Sequence, residues 1–223
     1  MQEAHAKVGF APLAIALGGS NSWIDHGDFP DSCISSPSKC PDGISVSFKA
    51  RVTGSRTGYI LSSGGVAIYY VNETMHFIIQ DKDKAWEVQG PYKKYVWETF
   101  AMSWSRENGL TAVIVGAAAN VLRDLSGKSA MPSAVLPTSL TIGRPNGENA
   151  TFAQGAIRDV ALWKKEISEE RMSSLHVCNG ETAGSRPSCK AGARCEKMGE
   201  GGDVGRVTGL IFLNKTEGPG SLL

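Results

Sequence analysis

The strongest pattern in the chain is a nine-residue alternation. Across Ile44–Val52, Ile44, Val46, Phe48, Ala50 and Val52 are apolar, and Ser45, Ser47, Lys49 and Arg51 between them are polar. Successive side chains leave a strand on opposite faces, so this run predicts a strand with one face on a core and one in water. Phe100, Met102 and Trp104 alternate with Ala101, Ser103 and Ser105 in the same way. Shorter pieces lie between. Residues 59–61 stop at Ser62-Ser63-Gly64-Gly65, and Val66–Val71 turns through Asn72-Glu73 into residues 75–79, which predicts a hairpin. Arg106-Glu107-Asn108-Gly109 predicts another, because Asn-Gly tolerates the positive φ that tight hairpins need; residues 110–115 return from it. Residues 140–143 and 152–163 complete the β-rich part, while residues 116–137 show no firm period.

One short helix is predicted near residues 168–176. Ser168 is placed to cap it, Glu169 and Glu170 stand where the helix dipole favours carboxylates, and Ile167 and Met172 occupy the two positions of a hydrophobic staple. Beyond Cys178 apolar side chains almost vanish until residues 207–213, which predict one late strand. Such a stretch cannot bury enough surface to offset its ordering entropy. The expected division is therefore a sandwich over residues 8–178 and a loop-rich, cysteine-containing, Gly-rich extension over residues 179–223. Residues 10–17 have two readings, a strand or the apolar centre of a signal peptide. Glu3 upstream and the lack of a small-x-small cleavage site favour the strand.

Composition narrows the function. The 223 residues carry 23 Lys+Arg against 22 Asp+Glu, so the counterion-releasing excess of a nucleic-acid binder is missing. No apolar run approaches the 18 residues of a transmembrane helix. Five cysteines, Cys33, Cys40, Cys178, Cys189 and Cys195, match no zinc spacing. Cys33 and Cys40 flank a Ser/Pro loop and predict a short disulfide, worth about 2.5 kcal/mol by loop entropy. An odd cysteine is left among the last three, which predicts a piece of a larger multidomain protein. Triplets for N-glycosylation begin at Asn72, Asn149 and Asn214, each where a turn or tail is expected. Both features point to an extracellular or cell-surface location.

Three stretches together resemble a known family. Gly19-Ser20-Asn21-Ser22-Trp23-Ile24-Asp25-His26-Gly27-Asp28-Phe29 looks like an opening strand pair. Trp97-Glu98-Thr99-Phe100-Ala101-Met102-Ser103-Trp104 looks like a central strand. Gly155-Ala156-Ile157-Arg158-Asp159-Val160-Ala161-Leu162-Trp163, followed by Ile167-Ser168-Glu169-Glu170, looks like a closing strand and capped helix. From about residue 10 to 176 the chain resembles the laminin G-like/pentraxin-type domains of the concanavalin A-like lectin/glucanase superfamily. Departures are Val113-Ile114-Val115-Gly116, which lacks the family's aspartate, and Arg158, which replaces the first of an acidic pair. The resemblance implies an all-β, antiparallel jelly-roll sandwich. It also implies calcium at the rim, for which Asp81 and Asp83, and Asn146, Glu148 and Asn149, are the oxygen donors in reach.

Catalytic patterns are missing. Glucanases of this class carry E-x-D-x-E-like runs; here Asp81, Asp83 and Glu87 are broken by lysines in what reads as a loop. There is no G-x-S-x-G and no H-E-x-x-H, and His5, His26, His76 and His176 share no spacing. The expectation is a module that is not an enzyme and recognises a glycan or extracellular protein through rim loops; the alternative is a structural matrix component without a small ligand. Lys82, Lys84, Lys93, Lys94, Lys164 and Lys165 would gather at one edge to attract an anionic sugar. Trp86, Tyr92 and Tyr95 would offer ring faces beside them.

Overall fold

The computed structural model describes residues 14–19, 22–30, 32–82, 84–129, 138–145 and 151–175. Within them run thirteen strands: β1 (Ile15–Gly18), β2 (Ile24–Asp28), β3 (Ile44–Val52), β4 (Gly58–Ser62), β5 (Val66–Val71), β6 (Thr74–Asp81), β7 (Lys84–Pro91), β8 (Glu98–Ser105), β9 (Gly109–Val115), β10 (Ala119–Asp124), β11 (Lys128–Ser129), β12 (Ser139–Ile142) and β13 (Gln154–Trp163). A 3-10 turn spans Pro37–Lys39, and one helix, α1 (Glu169–Ser174), follows β13. The strands form two sheets in which neighbouring strands pair antiparallel. One has six strands in the order β1-β13-β3-β8-β9-β10, the other seven in the order β11-β7-β6-β5-β4-β12-β2.

The alternation in β3 sets the core. Ile44, Val46, Phe48 and Ala50 stand opposite Trp104, Met102, Phe100 and Glu98 of β8 in register. Phe48 and Phe100 stack with ring centroids 5.3 Å apart. From the seven-stranded sheet Ile68, Tyr70, Met75, Phe77 and Ile79 come down to meet them, all at most 1 % exposed. Fully burying such a side chain contributes about 1.5–3 kcal/mol, so these inner faces are what hold the layers together. Trp86 of β7 meets Trp104 edge-on at 5.2 Å across the sandwich.

The capped helix forms as its sequence predicts. The Ser168 hydroxyl accepts the Arg171 amide at 3.3 Å, and Ile167 and Met172 are buried with Trp163, Val113 and Ala101 in a second cluster. One expectation changes. The polar face of β3 does not simply meet water, because the chain leading into α1 lies on part of it. Ser45 and Ser103 share a hydrogen bond of 2.8 Å, and their hydroxyls accept the Ile167 amide at 3.1 and 2.9 Å. Buried hydroxyls persist when paired in this way.

Three further differences concern placement. The opening segment is not a mutual pair: β1 joins β13 in one sheet and β2 joins β12 in the other. The region without a period holds β10 and β11. Residues 84–91, whose Glu87 reads as part of a loop, are the whole of β7. The Cys33–Cys40 disulfide is present, with Cα atoms 5.5 Å apart, around the 3-10 turn. Cys178, Cys189, Cys195, Asn149, Asn214 and the 179–223 extension lie outside the described residues. No helix among the described residues is long and apolar enough to cross a membrane.

Candidate functional site

Outward positions on a sheet are normally polar, so aromatic rings there call for a reason. In β5 the inward residues are Val66, Ile68 and Tyr70, which leaves Ala67 and Tyr69 facing out. Tyr69 stands opposite Tyr59 of β4 on one side and His76 of β6 on the other. Their rings form a continuous stack: Tyr59 to Tyr69 at 4.9 Å with 23° between planes, and Tyr69 to His76 at 4.7 Å with 5°. The stack ends in a polar contact, His76 Nδ1 to Glu87 Oε1 of β7 at 3.0 Å. Three strands thus supply one aromatic ladder, half-buried and in reach of solvent.

A cleft of about 160 Å³ opens beside the ladder. Tyr59 forms one wall, Ala67 and Ile78 give an apolar floor, and Gln80 and the Ser63-Gly64-Gly65 loop supply the polar side. The loop is tight: a Cβ on Gly65 would run into Pro37 and the Ile34 carbonyl. The Ser63 side chain is 8 % exposed, and its hydroxyl has no hydrogen-bond partner among the described residues. A buried hydroxyl left unmatched costs about 1–3 kcal/mol. Burial holds the Tyr59 phenol above its ordinary value. For Tyr69, burial and then the Glu87 carboxylate and Tyr59 do the same, so both hydroxyls stay protonated at neutral pH. The arrangement offers flat apolar rings edged by neutral donors and acceptors, with Glu87 as the charge.

The lysine edge expected from the sequence does not assemble. Lys82 and Lys84 stand at one end of β7, Lys93 and Lys94 beyond the other, with the eight-residue strand between them. Lys94 is held by Glu73 at 3.0 Å. Trp86 and Tyr92 are core residues, 4 % and 5 % exposed, so neither offers a ring face to a ligand. The alternation Trp86-Glu87-Val88-Gln89-Gly90 signals this: Trp86 and Val88 point in, Glu87 and Gln89 out. Asp81 is 7 % exposed and engaged by protein, accepting Arg106 Nη2 and the Ser38 amide, each at 3.2 Å. Calcium needs six to eight oxygens, and among the described residues no three His, Cys, Asp or Glu side chains gather to hold a metal. Asp81 is thus committed to protein partners; Asp83, Asn146 and Glu148 lie outside the described residues. Asn72 sits in the β5–β6 turn, exposed, with φ 45° beside Glu73 at 68°.

Tyr59, Tyr69 and His76 are absent from the residues that sequence reasoning singles out for binding. The available signal is a bulky aromatic at the outward phase of an otherwise regular strand. What joins the three is strand pairing, which one-dimensional pattern does not hold.

The two-layer antiparallel β-sandwich is a fold that solved structures share. The CBM40 of an IT-sialidase from Ruminococcus gnavus superposes with a TM-score of 0.56 at 14% identity, over 73% of this chain and 95% of that one. The binding domain of botulinum neurotoxin serotype D gives 0.53 at 15% identity, over 73% of this chain and 42% of that one. Mouse laminin α1 LG4-5 gives 0.49 at 14% identity, over 66% and 40%. No family model and no curated protein matches the sequence.

Proposed function

We propose that this protein is an extracellular recognition module that binds a glycan on the outer face of its seven-stranded sheet. The observation that carries the reading is the Tyr59–Tyr69–His76 stack beside the Ser63 cleft. A sugar ring would lie on the Tyr59 and Tyr69 rings, with its hydroxyls toward Ser63, Gln80 and Glu87. Two of the domains with this fold support a ligand-binding role by their own ligands: the Ruminococcus gnavus CBM40 has been solved with α2,3-sialyllactose, and a botulinum neurotoxin DC binding domain with SialylT. The disulfide and the exposed Asn72 triplet suit an oxidising, glycosylating compartment.

Binding rather than turnover is the role this face suits. Hydrolysis of a glycosidic bond takes two free carboxyl groups flanking it. Beside Glu87 stands Asp124, whose oxygens accept the backbone amides of Glu87, Ser126 and Gly127, each at 3.2 Å. Burial pushes its carboxyl up, but those amides and the Ser126 hydroxyl outweigh that and hold it below its ordinary value. It is a turn-fixing acceptor.

A glycan array probed with the wild-type chain and with Tyr69→Ala tests the reading. The expected result is a reproducible set of bound sugars whose affinity falls about tenfold, equivalent to about 1.4 kcal/mol, in the variant. A parallel array in EDTA reads any calcium requirement. An empty wild-type array would overturn glycan recognition and favour a matrix component instead; undiminished binding by Tyr69→Ala would move the site off this face.

A further inference from the structure

The opposite face of the molecule carries a different cluster. In the six-stranded sheet Arg158 of β13 stands directly opposite Lys49 of β3, and Arg51 lies two residues along the same face. Trp97, just before β8, is roofed by two guanidinium groups: Arg158 Cζ is 4.5 Å and Arg51 Cζ 5.8 Å from its ring centroid. Asp159, at the β13 bulge with φ 54°, approaches Arg158 Nε to 3.9 Å. Among the described residues, two guanidinium groups thus lie over one ring, with Lys49 on the same face and the Asp159 carboxylate beside Arg158. Like charges facing each other across strands destabilise a sheet, and the Asp159 carboxylate offsets part of that here.

Lys49 and Arg158 are 7 % and 8 % exposed and have partners of their own. Arg51 is the exposed member. A guanidinium lying over an indole keeps the edge of its fork available for two oxygens, which is how arginine reads carboxylate and sulfate groups. Next to Trp97 the chain turns through Tyr95 at φ 64°, held there by its amide hydrogen bond to the Val52 carbonyl at 2.9 Å. A bulky residue adopts that left-handed conformation at a cost, and here the turn leaves Tyr95 70 % and Val96 47 % exposed. Exposed aromatic surface thus borders the cationic fork.

We propose that Arg51, Trp97 and Tyr95 form a second binding site, on the six-stranded face, for the sulfate or carboxylate groups of an acidic polysaccharide. Arg51 takes the anionic group bidentately, Lys49 and Arg158 contribute their field, and Tyr95 packs on the adjoining ring. The site is separate from the Tyr59–Tyr69 ladder and takes a different class of sugar.

Heparin and polygalacturonate, with dextran as neutral control, separate the two anionic sources in a calorimetric titration at low salt. Wild type binds at least one of the charged polymers, more weakly as salt rises, and Arg51→Glu leaves any dextran binding unchanged. Arg51→Glu weakens that binding about tenfold or more with no change in melting temperature, and Arg51→Lys, which keeps charge without the fork, falls between. Tyr69→Ala leaves it unchanged, so failure here and failure of the neutral-sugar face can be told apart. The proposal is overturned if neither polymer binds, if Arg51→Glu binds like wild type, or if charge reversal of the exposed Lys164 and Lys165 removes as much binding as Arg51→Glu.

Discussion

At the centre of the seven-stranded sheet the outward residues are Tyr59, Tyr69 and His76, stacked ring on ring. At the comparable place on the six-stranded sheet they are Lys49, Arg51 and Arg158, and the two arginines lie over Trp97. The strands beneath are built alike: each turns alternate residues into one shared core and frees the others. Where the outward residues are flat and neutral, the face suits an uncharged ring; where they are cationic, it suits an anion. The lesson is that the core fixes the fold while the outward phase is free to carry two unrelated surfaces. The helix sharpens the contrast. Its lead-in covers Ser45 and Ser103 on the six-stranded side, and of those three cations Arg51 is the one left exposed.

Removing the shared support has the largest expected effect. Phe48 is 1 % exposed and stacked on Phe100, so Phe48→Ala leaves a cavity between the sheets and costs about 3–5 kcal/mol. Urea unfolding should show it, and both faces should lose their ligands together. If one kind of binding survived at full strength in a destabilised variant, that face would not depend on the common core.

Next in size is a test of independence. Tyr69→Ala and Arg51→Glu alter opposite sides of the sandwich and share no contact. Combined, they should lose neutral and acidic sugar binding each by the same factor as the single variants, within about 0.5 kcal/mol. A larger coupling energy would mean that one ligand spans both surfaces and that the contrast between them is false.

How much of this could be read from the chain alone follows from which residues touch the core. β3 and β8 carry regular period-two stripes, so pattern finds them, and β9 is found from the Asn108-Gly109 turn that leads into it. β10 lies at the sheet edge, and all its residues are exposed or half-buried; with no face committed to the core, its composition has no period to display. β7 does alternate, but with Lys84, Glu87 and Gln89 at the free positions its charge reads as loop. The sites are harder still. Trp86 and Tyr92 look like ligand platforms in sequence because lysines flank them, whereas strand phase sends both inward. Tyr59, Tyr69 and His76 meet only through the β4–β5–β6 register, and Trp97 finds Arg158 only because β13 and β8 both flank β3. Long-range pairing, not local propensity, makes both surfaces.

The smallest effect separates two tyrosines at the boundary between core and rim. Tyr70 and Tyr92 meet edge-on at 5.9 Å, and both are nearly buried. The Tyr70 hydroxyl accepts the Gln154 amide at 2.9 Å, whereas the Tyr92 hydroxyl has no partner among the described residues. Tyr70→Phe should therefore cost about 1 kcal/mol, while Tyr92→Phe should be neutral or slightly stabilising. Alkali sharpens the pair. Burial raises the Tyr92 hydroxyl well above its unfolded value of 10.0, with Tyr70, Glu73 and Glu98 adding to the shift. The unfolded chain then loses its proton first, so the stability this group contributes is intact below pH 10 and declines as pH rises beyond it. Urea midpoints taken from pH 8 to 11 should fall more gently in Tyr92→Phe than in wild type. Parallel curves for the two proteins would show that Tyr92 titrates alike folded and unfolded, and that its burial beneath the rim is not maintained in solution.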